Sequence, residues 1–208
     1  MGVLRRDRNN GALSHHQNRI GPIMSSPNYL NISPMTRILT MLFVLSVFLC
    51  ACTTSTQQGF AVTSIDHVDL QRYKGMWYEI GSFPMFFQRN CIANTQANYT
   101  LEPEGQLGVH NQCLTKDGID KADGVADIVK GSDNAKLRVS FFRPFWADYW
   151  VIGLDTDYRW ALVGTPNRRY LWLLSRSKIL PRDQLDTALD VARKQGFDIN
   201  NLRYTTQN

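Results

Sequence analysis

No apolar run in this chain is long enough to span a bilayer comfortably as a helix. The strongest candidate, Ile38–Phe48, covers 11 residues, against the ~20 that ~30 Å of hydrocarbon requires. Histidine is scarce, with four in 208 residues. The two in the body, His67 and His110, stand apart from each other, from Ser or Cys nucleophiles and from any metal-ligand spacing. Gly-rich phosphate loops are missing too, so the sequence suggests no catalytic residue, metal or cofactor. A basic stripe is also lacking, although the formal net charge is +5 and the pI about 9.1. Arg5, Arg6, Arg8, Arg19 and Arg37 oppose only Asp7 in residues 1–52, giving 5 − 1 = +4. Residues 53–208 therefore hold 23 − 5 = 18 basic and 18 − 1 = 17 acidic groups, or +1. A nearly neutral body argues against nucleic acid as a partner.

What the N-terminal region does contain is an export pattern. Met35-Thr36-Arg37 supplies a start and a charge, Ile38–Phe48 a short apolar core, and Leu49-Cys50-Ala51-Cys52 small residues at its end. That tetrad resembles the lipobox of bacterial lipoproteins. The resemblance implies cleavage before Cys52 and acylation of its sulfur and new amino group, a multi-chain anchor where one chain would be marginal. Thr53, in place of Asp, implies sorting to the outer membrane. Residues 1–34, rich in Asn, Ser, His and Arg, read as an upstream leader without a fold, with a functional disordered extension as the alternative. The expected organisation is leader 1–34, signal peptide 35–51, polar tether 52–64 and one domain over 65–208.

In the body, short apolar runs recur between turn signals. They are 76–82, 95–101, 107–113, 124–129, 136–142, 149–154, 160–164 and 170–176, separated by clusters such as Lys116-Asp117-Gly118 and Gly131-Ser132-Asp133-Asn134. Evenly spaced strands of this kind predict an all-β antiparallel barrel or sandwich. No long helical period interrupts them, which argues against a parallel βαβ sheet. Leu137, Val139 and Phe141 share one face of their run, while Tyr170–Leu174 is apolar on both faces, as a strand covered from both sides would be. The cover is predicted at Leu180–Gly196: Pro181 opens it, Leu185, Ala188, Leu189 and Ala192 form the stripe, Arg193 and Lys194 suit its C-terminal end and Gly196 stops it. Phe197, Ile199, Leu202 and Tyr204 then read as a last strand.

One triplet has a specific demand. Trp77 follows Gly75 by two residues at the head of an aromatic run; indole wants packing and a partner for its N–H, and glycine at a strand entry suggests a bend or a close backbone approach. Three separated motifs then resemble the lipocalins, most closely the bacterial outer-membrane lipocalins related to apolipoprotein D. They are Gly75-Met76-Trp77-Tyr78-Glu79-Ile80 with Phe83–Arg89, Asp155–Val163, and Tyr170–Arg176. The order and spacing match over nearly all of 65–205. The resemblance implies an eight-stranded up-and-down barrel holding one small apolar ligand, with one C-terminal helix packed outside. It places Trp77 at the closed end with Arg176 across its ring, and makes Gly75, Trp77, Asp157, Tyr158 and Arg176 structural. Asp155 and Asp157 flank a turn and are read as caps.

Cys91 and Cys113 lie in segments joined through the Glu102–Gly105 turn. In an exported domain they favour a disulfide. The alternative is a lumen thiol used as a nucleophile, as in a prostaglandin-isomerising branch of the family. Three functions follow: a lipid-binding periplasmic lipocalin anchored to the outer membrane through Cys52, taking fatty acid, lysophospholipid or phospholipid; a lipid-modifying enzyme using a cysteine; or an envelope structural or interaction protein with a filled barrel. The first is preferred, without enzymatic activity, and a homodimer stays open. Expected ligand contacts are Tyr99, Val139, Phe141, Tyr149, Trp150 and Trp172 in the lumen, and Arg89 near the mouth for a headgroup.

Overall fold

The structure, a computed structural model, describes residues 60–208. The leader, the signal segment and Cys52 lie outside them. Nine antiparallel strands are present among the described residues: β1 Gly75–Ser82, β2 Ala93–Leu101, β3 Leu107–Thr115, β4 Gly118–Ile128, β5 Lys136–Phe142, β6 Phe145–Leu154, β7 Trp160–Gly164, β8 Leu171–Ser175 and β9 Arg203–Tyr204. Each strand from β1 to β8 pairs with the next, and β8 returns to β1 through pairs such as Glu79 with Leu174. The first eight strands therefore form a closed barrel, and β9 adds to the upper half of β1. Closure leaves no long sheet edge open to another chain. All eight predicted runs are strands, with β4 extending further upstream than its apolar residues indicated.

Alternation sorts the side chains into two cores. Inside the barrel, Trp77, Ala97, Tyr99, Val109, Ala126, Leu137, Val151, Val163 and Leu174 form one buried cluster. Outside it, Ile152, Leu162, Leu171 and Leu173 meet Ala188, Leu189 and Ala192 of a helix, α2, Arg182–Lys194. Strand β8 thus sends Trp172 and Leu174 inward and Leu171 and Leu173 under α2, the two-sided cover its composition required. Pro181 occupies the cap position and Gly196 follows the helix at φ +79°, where the Phe197 amide donates to the Ala192 carbonyl in the manner of a Schellman stop. Arg168 adds to that stop, donating from Nε to the Gln195 carbonyl at 2.7 Å.

Two local features differ from expectation. The last strand is only Arg203–Tyr204; Asp198 caps a 3₁₀ turn at Ile199–Asn201, and Phe197 packs against Phe83 in the helix layer. A short helix, α1 Leu70–Tyr73, precedes β1, capped by Asp69 through bonds from the Gln71 and Arg72 amides. Four residues carry no readable helical period, so only the capping Asp signals it.

The loops define two ends. α1, the β2–β3 turn, the β4–β5 turn and the β6–β7 turn gather at one end; the β1–β2, β3–β4, β5–β6 and β7–β8 connections gather at the other. The first is the floor and the second the mouth.

Candidate functional site

The floor is built on unpaired backbone. α1 ends with carbonyls that have no partner within the helix, and Arg176 at the end of β8 supplies one. Its guanidinium donates to the Arg72, Tyr73, Lys74 and Met76 carbonyls at 2.6–3.0 Å and lies 3.8 Å from the centroid of Trp77. Trp77 is fully buried and donates from Nε1 to the Tyr73 carbonyl at 2.7 Å. Gly75 has φ +92°, a left-handed conformation that side chains resist. The glycine therefore provides the bend that turns α1 into β1. Beside this plug, the Asp155 carboxylate accepts from the Asp157 and Arg159 amides and from the Arg159 side chain. Those bonds, the Arg159 guanidinium first, hold its carboxyl below the usual range. Asp155 therefore does the capping expected of both acids; the Asp157 side chain is exposed. Tyr158, at φ +60°, accepts the Asp69 amide proton on its hydroxyl and carries the Arg72 guanidinium over its ring.

Above the floor the lumen holds a chain of three hydroxyls. Tyr149 Oη lies 2.8 Å from Tyr73 Oη and 2.8 Å from Tyr99 Oη. Burial pushes the Tyr99 phenol up to about 12, and burial raises Tyr73 and Tyr149 as well. All three stay neutral at ordinary pH. Three protons serve two bonds, so the group keeps a spare donor.

The rings continue upward without a break. Trp77 contacts Tyr73 at 5.0 Å between centroids, Tyr73 contacts Tyr99 at 5.5 Å, and Tyr99 contacts Tyr149 at 6.1 Å. Tyr149 stacks on Trp172 at 6.5 Å, which meets Tyr170 at 5.9 Å, then Phe87 at 5.7 Å and Phe86 at 5.2 Å. Eight aromatic rings thus run from sealed floor to exposed mouth, at separations typical of favourable aromatic pairs.

Tyr99, Val139, Tyr149 and Trp172 all belong to or pack on the lumen cluster. Trp150 does not: it packs on the outer, helix-side cluster, under the Lys136 ammonium at 4.2 Å. Adjacent strand residues face opposite ways, so Tyr149 and Trp150 cannot both line the lumen. Phe141 is not enclosed either. It sits at the mouth end of β5, 46% exposed, with its ring against Gly124 of β4. Arg89, exposed on the β1–β2 loop, lines a mouth-side cleft of about 310 Å³ with Glu79, Met85 and Gln88.

Glu79 was not singled out by its sequence, although it stands in the Gly75–Ile80 motif. It is buried, and its carboxylate accepts from Ser82, Gln88 and Thr205 at 2.5–3.1 Å. It joins the mouth loop to the C-terminal segment through neutral donors. Tyr73 was likewise missed, since only the closure of the barrel brings it to Tyr99 and Tyr149.

Cys91 and Cys113 form a disulfide, with Cα atoms 5.6 Å apart. Neither sulfur is a free thiol, which overturns the cysteine-nucleophile alternative. His67 pairs with Asp133 at 3.0 Å and His110 with Asp123 at 2.7 Å, all four on the surface.

Comparison with known proteins gives the same frame. Residues 68–207 match the lipocalin-like domain family. The outer membrane lipoprotein Blc of Citrobacter freundii is 36% identical over 166 residues, 79% of this chain and 93% of that protein. Temperature-induced lipocalin-1 of Arabidopsis thaliana is 38% identical over 148 residues, 67% of this chain and 80% of its own. Apolipoprotein D of Cavia porcellus is 34% identical, covering 68% of this chain and 78% of that protein. Among solved structures, insecticyanin from the tobacco hornworm Manduca sexta superposes with a TM-score of 0.57 at 20% identity, over 69% of this chain and 83% of that one; at that identity the likeness is one of fold. With a sealed floor, a closed barrel and a flanking helix in place, this chain belongs to the lipocalins.

Proposed function

We propose that this protein is a lipid carrier of the bacterial envelope, anchored to the outer membrane through acylated Cys52 with its barrel in the periplasm. The carrying observation is the aromatic file from Phe86 at the mouth to the Tyr73–Tyr149–Tyr99 hydroxyls above the floor. Such a file offers one acyl chain an apolar path away from water. Burying a methylene is worth ~0.8 kcal/mol, so about 14 of them give roughly 11 kcal/mol gross. Association costs of several kcal/mol leave an affinity on the order of micromolar. Fatty acids, lysophospholipids and phospholipids share this chemistry.

The chain enters tail first. The lumen base offers neutral hydroxyls, and an ionised headgroup buried there without a counter-charge would be expensive. Arg89 stands exposed at the mouth, where a phosphate or carboxylate can keep both its water and a cation. The lipobox-like tetrad and the outer membrane lipoproteins among the relatives support the address.

Titration of the purified protein with a long-chain fatty acid tests the carrier reading. Trp172 stacks on Tyr149 inside the lumen, so its fluorescence should change saturably, and Trp172→Phe should remove most of the response. No response in either protein would leave a barrel filled by its own side chains, the envelope-structural alternative.

A further inference from the structure

The mouth differs from the rest of the surface in a way that lipid storage alone does not require. Phe86 and Phe87 on the β1–β2 loop are 73% and 54% exposed, and Phe142 and Phe145 flanking the β5–β6 turn are 73% and 70% exposed. Phe142 and Phe145 are held together, their rings stacked 6.2 Å apart at 13°. Water exposes these rings at a cost, and nothing within the described residues covers them.

Charge is distributed in the same direction. The four mouth connections, 83–92, 116–117, 143–144 and 165–170, carry Arg89, Lys116, Arg143, Arg168 and Arg169 against Asp117, a net 5 − 1 = +4. The floor elements, 66–74, 102–106, 129–135 and 155–159 with Arg176, carry five cations and seven acids, a net 5 − 7 = −2. Lys116 and Asp117 approach each other, and Arg168 is committed to the end of α2. Arg143 and Arg169 instead lean on Trp146 and Tyr170, cations set beside aromatic rings as at a membrane interface.

The chain's entry point agrees. Arg168, in the β7–β8 connection at the mouth, donates to the Phe60 carbonyl. From there the backbone descends, with the Ile65 amide bonded to Val151 and the Val68 amide to Asp133 at the floor. The described backbone thus enters the domain at its mouth end.

We infer that the mouth is a docking surface for an anionic lipid bilayer, onto which the barrel settles with its opening facing the headgroups. Phe142 and Phe145 enter the interface as a preformed wedge, while Arg143 and Arg169 meet anionic lipid. Docked this way, the aromatic file opens at the depth where acyl chains begin, so lipid passes between bilayer and lumen without crossing water. This rests on the carrier reading for its purpose, though not for its geometry.

The test uses residues 53–208, so that neither the acyl anchor nor the apolar Ile38–Phe48 segment contributes, in flotation with vesicles of phosphatidylcholine alone or with about a third phosphatidylglycerol. The parent should bind the anionic vesicles and lose them as salt is raised. Phe142→Ser/Phe145→Ser should weaken binding by about tenfold or more, and Arg143→Gln or Arg169→Gln by about fivefold each, with melting temperatures unchanged because all four side chains are on the surface. Met76→Ser, at the floor and 38% exposed, should bind as the parent does. Equal binding by the Phe142/Phe145 variant, equal binding to both vesicle types, or an equal loss in Met76→Ser would overturn the proposal. So would a parent that ignores vesicles, which would leave the rim to a protein partner. Fatty-acid titration without vesicles separates the two readings: a Phe142/Phe145 variant that still takes fatty acid but not vesicles supports docking, and a parent that docks without taking fatty acid refutes only the carrier.

Discussion

Replacing Arg176 by Met should loosen the floor and leave the lumen alone. The change keeps much of the aliphatic stem and removes five N–H donors. Arg176 serves four carbonyls, three through one nitrogen, so the bonds are not four independent contributions. A hydrogen bond to a charged partner is worth ~1.5–3 kcal/mol net, and a guanidinium over indole ~0.5–2 kcal/mol. The guanidinium is half-buried, and most of the freed carbonyls are near enough to the surface to take water. The expected loss is therefore about 2–4 kcal/mol, or ~5–15 °C in melting temperature for a domain of this size. Arg176→Lys, which keeps a charge but cannot fan across several carbonyls, should cost about half as much. Trp77→Ala should cost ~3–5 kcal/mol. Urea unfolding followed by tryptophan fluorescence gives these values, and a double-mutant cycle of Trp77→Leu with Arg176→Met should show a coupling of ~0.5–2 kcal/mol. Wild-type stability in Arg176→Met, or zero coupling, would refute the floor assignment. Unchanged fatty-acid affinity in the folded variant is expected, because Arg176 lies beneath the lumen.

Denatured, unreduced protein should show no titratable thiol at Cys91 or Cys113, and Cys91→Ser with Cys113→Ser should lower stability by ~3 kcal/mol for a 22-residue separation; two free thiols would contradict the bridge. The tyrosine chain predicts alkaline lability. The folded Tyr99 phenol titrates near 12 against 10 when exposed, so its contribution is complete below pH ~10 and is lost as pH rises toward ~12. That amounts to about 3 kcal/mol from Tyr99, with Tyr73 and Tyr149 adding in the same direction. Phenolate absorbance should rise together with unfolding; ionisation of all tyrosines near pH 10 without unfolding would contradict the chain.

The barrel was legible because its signals are local. Each strand is a short apolar run between turn residues, and the α2 stripe Leu185, Ala188, Leu189 and Ala192 has a helical period that needs no tertiary knowledge. Trp77 and Arg176 were legible through motif resemblance, being 99 residues apart and joined only by closure. The lumen was legible in part. Tyr99, Tyr149 and Trp172 were found, but Tyr73 hides before β1 in a four-residue helix. Trp150 was misplaced because Tyr149-Trp150 offers two aromatic residues in succession and composition does not say which faces inward. Phe141 stands at the open end of β5, 46% exposed, and alternation does not show how far the barrel encloses a residue. Glu79 looks like any strand acid until Ser82 of its own strand, Gln88 of the β1–β2 loop and Thr205 of the C-terminal segment converge on it.

The central claim, that this lipocalin carries lipid in its barrel, is tested most directly by purifying the protein from its own membrane and measuring intact mass under native conditions, with lipid extraction alongside. The account predicts a complex with one lipid molecule per chain beyond the covalent acyl groups on Cys52, lost on denaturation and recovered in the extract. A protein that carries only its covalent acyl groups, and that takes up no lipid when fatty acid or lysophospholipid is added, would contradict it.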